Sequence, residues 1–186
     1  QTQWQAPSNI ALVKYWGKHG QQLPQNPSIS FTLSRCVTTT AVSFSPRQTG
    51  ETAFDFLFDE KKQPAFHPKI QQFLERITPY FPALEGHRLS ISSHNSFPHS
   101  SGIASSASAM AALALCVVDF EKQFNPHWSA EDFLQKASFL ARLGSGSAAR
   151  SIAGPLMVWG QSEAFPTSSD HYALAPVVEW HPIFYD

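Results

Sequence analysis

A chain of 186 residues with 42% hydrophobic content can bury one sizeable core and hardly two. Thirteen basic against fourteen acidic side chains leave a net charge of -1, which removes the electrostatic case for a dedicated nucleic-acid binder. The two cysteines, Cys36 and Cys116, are too few for a disulfide framework and lack metal-ligand spacing, so they read as ordinary thiols of a reducing, cytoplasmic compartment.

The chain opens at Gln1 without a charged n-region and apolar h-region, which reads as a trimmed start with no secretory signal. From Ala6 to Lys18, APSNIALVKYWGK, an apolar run ends in two lysines flanking Tyr15, Trp16 and Gly17. On an extended chain Lys18 can neutralise a phosphate and Tyr15 can donate a phenolic hydrogen bond, while Lys14 points to the other side. Alone, such a lysine pair also fits a solvated strand edge. Alternating positions at Thr38, Thr40, Val42 and Phe44, then at Phe54, Phe56 and Phe58, with Pro46 and Gly50 between, predict a β-hairpin. Phe66, Ile70, Phe73, Leu74, Ile77 and Phe81 keep helical spacing, with Lys69, Glu75 and Arg76 among the intervening positions, and predict an amphipathic helix packed on a sheet. Leu89 and Ile91 alternate with serines as a further strand.

That strand leads into the serine-rich loop from Phe97 to Ser108, FPHSSGIASSAS. A loop entering a helix leaves backbone N–H groups unpaired, and the helix dipole adds partial positive charge, so phosphate oxygens are favoured there. Gly102 permits close backbone approach, and Ser105 and Ser106 add hydroxyls that can donate to phosphate or ligate magnesium. The Walker A pattern is absent, and a Ser/Ala-rich helix start built for tight packing is the alternative. The apolar stretch Ile103 to Val118 is shorter than a membrane span of roughly 20 residues and carries three serines, which predicts a buried helix and no membrane association.

Ser129 and Asp132 form a capping box, with Trp128 and Phe133 at hydrophobic-staple positions, so a helix starts near Ala130. Its stripe of Phe133, Ala137, Leu140 and Ala141 ends at Gly144. In Leu143 to Ser151, LGSGSAARS, the residues Ser145, Ser147 and Arg150 can converge on an anion, the arginine offering a forked, permanently charged donor set. Gly144, Gly146 and Ala149 also fit the dinucleotide fingerprint, but that motif must follow a strand and here a helix precedes it. Gly154 to Gly160 reads as a buried strand, and strands followed by helices give an α+β fold.

The three segments together resemble mevalonate diphosphate decarboxylases of the galactokinase, homoserine kinase, mevalonate kinase and phosphomevalonate kinase (GHMP) superfamily. The patterns N-I-A-x-x-K-Y-W-G-K, F-P-x-x-x-G-[LI]-A-S-S-A and G-S-G-S-A-x-R-S occur here in the family's order. The resemblance implies the GHMP-kinase N-terminal domain over residues 1–165, with 166–186 leading through the loop Pro166 to Asp170 toward a ferredoxin-like C-terminal domain largely missing from the chain. It assigns substrate binding to Asn9, Tyr15, Trp16, Gly17, Lys18, Lys69, Ser145, Gly146, Ser147, Ala148, Ala149 and Arg150, with Asn9 supporting the arginine. ATP falls to Pro98, Ser101, Gly102, Ile103, Ala104, Ser105 and Ser106, with magnesium at Ser105 and Ser106. Asn26 to Leu33, NPSISFTL, is similar to a further family segment with Pro27 replacing a serine. His99, Ser100 and Ser101 depart from the usual Thr-Ala-Ala, and Ala149 replaces a common cysteine.

The implied reaction uses ATP and Mg2+ to phosphorylate the 3-hydroxyl of mevalonate 5-diphosphate before phosphate and CO2 leave, giving isopentenyl diphosphate. A homodimer is implied by the resemblance alone. The family's catalytic aspartate lies on a D-x-G-P-N segment that this sequence lacks, so the piece by itself is expected to be inactive. A GHMP small-molecule kinase, a decarboxylase of the monophosphate and a non-catalytic nucleotide-binding module remain as alternatives. Asp170 beside His171 is the one loop pair able to pose as acid and base, and also fits a plain solvated turn.

Overall fold

The computed structural model describes residues 1–98, 102–176, 179 and 181–184, which leaves the predicted phosphate-loop residue Ser101, with His99 and Ser100, outside the described residues. Strand β1 (Thr2–Val13) runs antiparallel along β4 (Ser28–Pro46). Between them β2 (Lys18–His19) and β3 (Leu23–Pro24) close a small separate hairpin. The register slips where Pro7 faces Val37 and Ser8 faces Leu33, so the three residues Ser34, Arg35 and Cys36 bulge out of β4. A bulge bends a strand and lets its two halves serve different neighbours. Here the first half pairs with β8 (Leu156–Trp159) and the second with β7 (His87–Asn95).

The predicted hairpin between β4 and β5 (Phe54–Phe58) does not form. Strand β7 lies between them, antiparallel to β4 and parallel to β5, in the order β1-β4-β7-β5-β6, with β6 (Lys61–Lys62) outermost. Alternation tells which face a side chain takes and not which strand lies alongside. Parallel neighbours need a crossover, and α1 (His67–Ile77) supplies it between β5 and β7. The amphipathic spacing read in the sequence holds: Ile70, Phe73, Leu74 and Ile77 are buried.

In β7, Leu89, Ile91 and Ser93 are buried while Ser90, Ser92 and His94 are exposed, so one face of the sheet is wet and the other is covered by helices. Helix α2 (Ser105–Lys122) packs on β1 and β4. Its residues from Ala107 to Val118 are buried apart from Ala109, because α3 (Ala130–Gly144) covers the side away from the sheet. Ser129 and Asp132 form the anticipated capping box, and a helix, not a strand, precedes Gly144, which removes the dinucleotide reading. No helix among the described residues is long and apolar enough to cross a membrane.

Candidate active site

After α3 the chain tightens into a short 3-10 turn, Gly146–Ser151, laid across β1 and β4. Asn9 of β1 holds it there, donating from Nδ2 to the Ser147 carbonyl at 3.1 Å and to Ser151 Oγ at 2.7 Å. The asparagine therefore supports the arginine by fixing the turn that carries it. Gly146 is closely approached: a Cβ there would stand 3.0 Å from the Trp159 ring and 3.2 Å from Cδ of Lys18, so those side chains would have to give way by a few tenths of an ångström. The same contact places the Lys18 stem against the turn. Ser145 Oγ and Ser147 Oγ lie 3.3 Å apart beside it, and Ala148 and Ala149 are fully buried packing positions.

Arg150 is the unusual group of this cluster. Only 3% of it is exposed, and its guanidinium lies 5.4 Å from the Tyr15 ring centroid and 6.0 Å from that of Trp159. The two rings meet edge to face at 5.0 Å. Among the described residues no carboxylate pairs with Arg150 and its buried Nε and Nη1 have no hydrogen-bond partner. Burial pulls its pKa down to about 10, with Tyr15 opposing the shift. Aromatic faces offset part of the cost of a buried cation, but they leave the N–H groups unsatisfied. Such donors suit an incoming phosphate or carboxylate.

The Tyr-Trp-Gly-Lys loop is fixed by Asn26, whose side chain accepts from the Trp16 N–H at 2.7 Å and donates to the Lys14 and Pro27 carbonyls. Gly17 accepts from the Gln25 N–H at 3.1 Å. Trp16 itself points outward, 78% exposed and apart from the other predicted residues. Lys18 donates to Gln22 Oε1. Buried Arg142 ties the following turn to α3 and the tail, donating to the carbonyls of Gln21 and His171. Asp170 helps close the tail loop, its backbone carbonyl accepting from Trp159 Nε1 and its Oδ1 from the Gln161 N–H.

The second cluster gathers at the start of α2. A cavity of ≈ 90 Å³ between the sheet, α1 and α2 is lined by Lys69, Ser105, Ser106 and Asn95 over a floor of aromatic and aliphatic side chains. Burial, then the charge of Lys18, pulls the Lys69 pKa below its ordinary value, although the residue as a whole stays exposed and the desolvation is partial. Lys69 thus stands with Ser105 and Ser106 while sensing the lysine of the first cluster. Gly102 (φ 81) and Ala104 (φ 55, ψ 43) take left-handed conformations leading into the helix. Pro98 and Ile103 flank this entry, Pro98 exposed and Ile103 half-buried. Ala104 makes no side-chain cap at the helix N-terminus, and in the first turn the Ala107 N–H bonds back to the Ala104 carbonyl at 2.8 Å. No group of three or more acidic, histidine or cysteine residues able to hold a metal occurs among the described residues. Sequence reasoning missed Ser8, Thr38, Ser108, Asn26, Arg142 and Ser151, whose roles depend on what the fold brings beside them.

Comparison with known proteins accords with this geometry. Residues 6–173 match the family model described as the diphosphomevalonate decarboxylase-like N-terminal domain. A diphosphomevalonate decarboxylase of Aspergillus fumigatus is 34% identical over 190 residues, covering 94% of this chain and 45% of that protein. The mevalonate diphosphate decarboxylase structure from Enterococcus faecalis superposes with a TM-score of 0.72 at 32% identity, over 92% of this chain and 50% of that one. The structure of MDDEF in complex with MVAPP, AMPPCP and magnesium gives a TM-score of 0.73 at 32% identity, over 95% of this chain and 50% of that one. The chain spans about half the length of the curated relatives it matches. With its α+β architecture, its paired basic and serine-rich clusters and a match from residue 6 to 173, the chain belongs to the diphosphomevalonate decarboxylase-like N-terminal domain family.

Proposed function

We propose that this chain supplies the ATP- and substrate-binding half of a cytoplasmic enzyme that converts mevalonate 5-diphosphate to isopentenyl diphosphate. The observation that carries the reading is Arg150, a buried cation with unpartnered N–H groups beside Ser145, Ser147 and the stem of Lys18. An arginine in that state is built for an anion, and the substrate offers a diphosphate and a carboxylate. MDDEF has been captured in complex with MVAPP, AMPPCP and magnesium, which supports two anionic ligands bound by one protein of this family. In this reading residues 1–165 form the domain and 166–186 lead toward a second domain holding the catalytic aspartate. The family's homodimer is proposed with it.

The substrate's 3-hydroxyl gives its proton to the aspartate proposed on the second domain as its oxygen bonds to the γ-phosphorus and the bond from that phosphorus to ADP breaks. The C1–C2 bond then breaks, its electron pair making the C2=C3 double bond as the C3–O bond releases phosphate and C1 leaves as CO2. Positioning and charge neutralisation are the demands of such a transfer. The open N–H groups of α2 answer the ATP phosphates; Lys18, Tyr15, Ser145, Ser147 and Arg150 hold the substrate's anionic groups, and Lys69, which feels the charge of Lys18, joins them. Ser105 and Ser106, whose hydroxyl oxygens are hard donors, would hold magnesium, which would supply charge neutralisation at the ATP phosphates. The test is ADP and CO2 release by the full-length protein with ATP and mevalonate 5-diphosphate, its monophosphate or mevalonate. CO2 from the diphosphate alone is expected. ADP without CO2, or turnover confined to the monophosphate, would overturn the assignment.

A further inference from the structure

Helix α2 begins without the usual support. Ala104 occupies its N-cap position, has no side chain able to accept from the first turn, and adopts a left-handed conformation that a non-glycine residue holds only when its surroundings impose it. The surroundings here are two hydroxyls that reach up from the sheet. Ser8 of β1, fully buried, donates to the Ile103 carbonyl on one side of Ala104. On the other side Thr38 of β4, also fully buried, shares a 2.7 Å bond with Ser108 Oγ, and Ser108 Oγ reaches the Ser105 carbonyl at 3.1 Å. Thr38 Oγ1 donates at 2.8 Å to Asn95 Oδ1, and Asn95 lines the same cavity as Ser105, Ser106 and Lys69.

Hydrogen counting fixes how this chain works. Thr38 spends its one hydroxyl hydrogen on Asn95 and so accepts from Ser108, whose hydrogen is then shared with the Ser105 carbonyl. Packing alone does not ask for this arrangement, because valine has the shape of threonine and suits a strand at least as well. A Ser, Thr, Asp or Asn at residue 104 would fasten the helix more directly, but its oxygen would occupy the N–H groups that an anion needs. Anchoring from beneath fixes the turn and leaves those donors open.

We infer that Thr38, with Ser8 in support, is a positioning residue for phosphoryl transfer: through Ser108 and the Ile103 carbonyl the two hydroxyls set the uncapped first turn of α2 against a nucleotide's phosphates. The inference rests on the proposed ATP-dependent reaction. Thr38→Val, Thr38→Ser and Ser8→Ala in the full-length protein test it through separate KM values for ATP and for mevalonate 5-diphosphate. Loss of one buried hydrogen bond should raise the ATP KM of Thr38→Val about tenfold and leave the substrate KM within about twofold. Thr38→Ser, which keeps the hydroxyl, should restore the ATP KM, and Ser8→Ala should show the same split and decides the matter if Thr38→Val does not fold. An unchanged ATP KM in folded variants, or both KM values rising together, would overturn it. Failure of the reaction itself is separable: wild type would then release no CO2, while direct ATP titration would still rank wild type above Thr38→Val.

Discussion

Arg150 sets the energetics of the substrate cluster at the scale of one residue. A buried guanidinium without an ion partner costs folding free energy that two neighbouring rings offset only in part. Arg150→Met fills a similar volume without the charge, so the unliganded protein should gain about 1–3 kcal/mol, read as a higher urea midpoint. The sign with pH follows from the pKa, held down at about 10, below the ordinary arginine range, by burial. Burial disfavours the charged form, so the cost is fully present below about pH 10 and fades as pH rises from there toward the ordinary arginine value. The gap between wild type and Arg150→Met should narrow over that window. A destabilised Arg150→Met protein at neutral pH would mean that the arginine has an internal partner and is not waiting for an anion.

At the scale of elements, β1 holds the Gly146–Ser151 turn through one side chain, with Asn9 bridging a carbonyl and a hydroxyl. Asn9→Ala leaves both acceptors buried and should cost about 1–3 kcal/mol. A double-mutant cycle with Ser151→Ala should return a coupling of about 1 kcal/mol, because the two share the 2.7 Å bond; additive losses would deny the link. Amphipathic α1 and the capping box of α3 were legible because periodicity and caps are local. The pairing of β5 with β7 was not, since it depends on a crossover closing between strands far apart in sequence, nor was the bulge at Ser34, Arg35 and Cys36, which carries no glycine or proline. Ala104 gave no sign of its left-handed backbone for the same reason: the hydroxyls that impose it come from β1 and β4.

Over the whole molecule, β4 is the member on which both clusters hang. Its first half pairs with β8 under the arginine turn, and its second half carries Thr38 beneath the start of α2. The resemblance already divides the motif residues between substrate and ATP; what the sequence does not show is that one bulged strand carries both groups. Lys69 shows the limit: helical spacing marks it only as a charged position and the resemblance alone assigns it to the substrate, while the fold also sets it beside Ser105 and Ser106. The central claim is that the Arg150 cluster takes the substrate's anionic end while α2 takes the nucleotide. Calorimetric titration of full-length wild-type and Arg150→Met proteins with mevalonate 5-diphosphate and, separately, with ATP tests it most directly. Loss of a forked, buried charge partner should weaken mevalonate 5-diphosphate binding about a hundredfold or more and leave ATP within about twofold. Equal losses for the two ligands, or unchanged binding of the diphosphate, would contradict it.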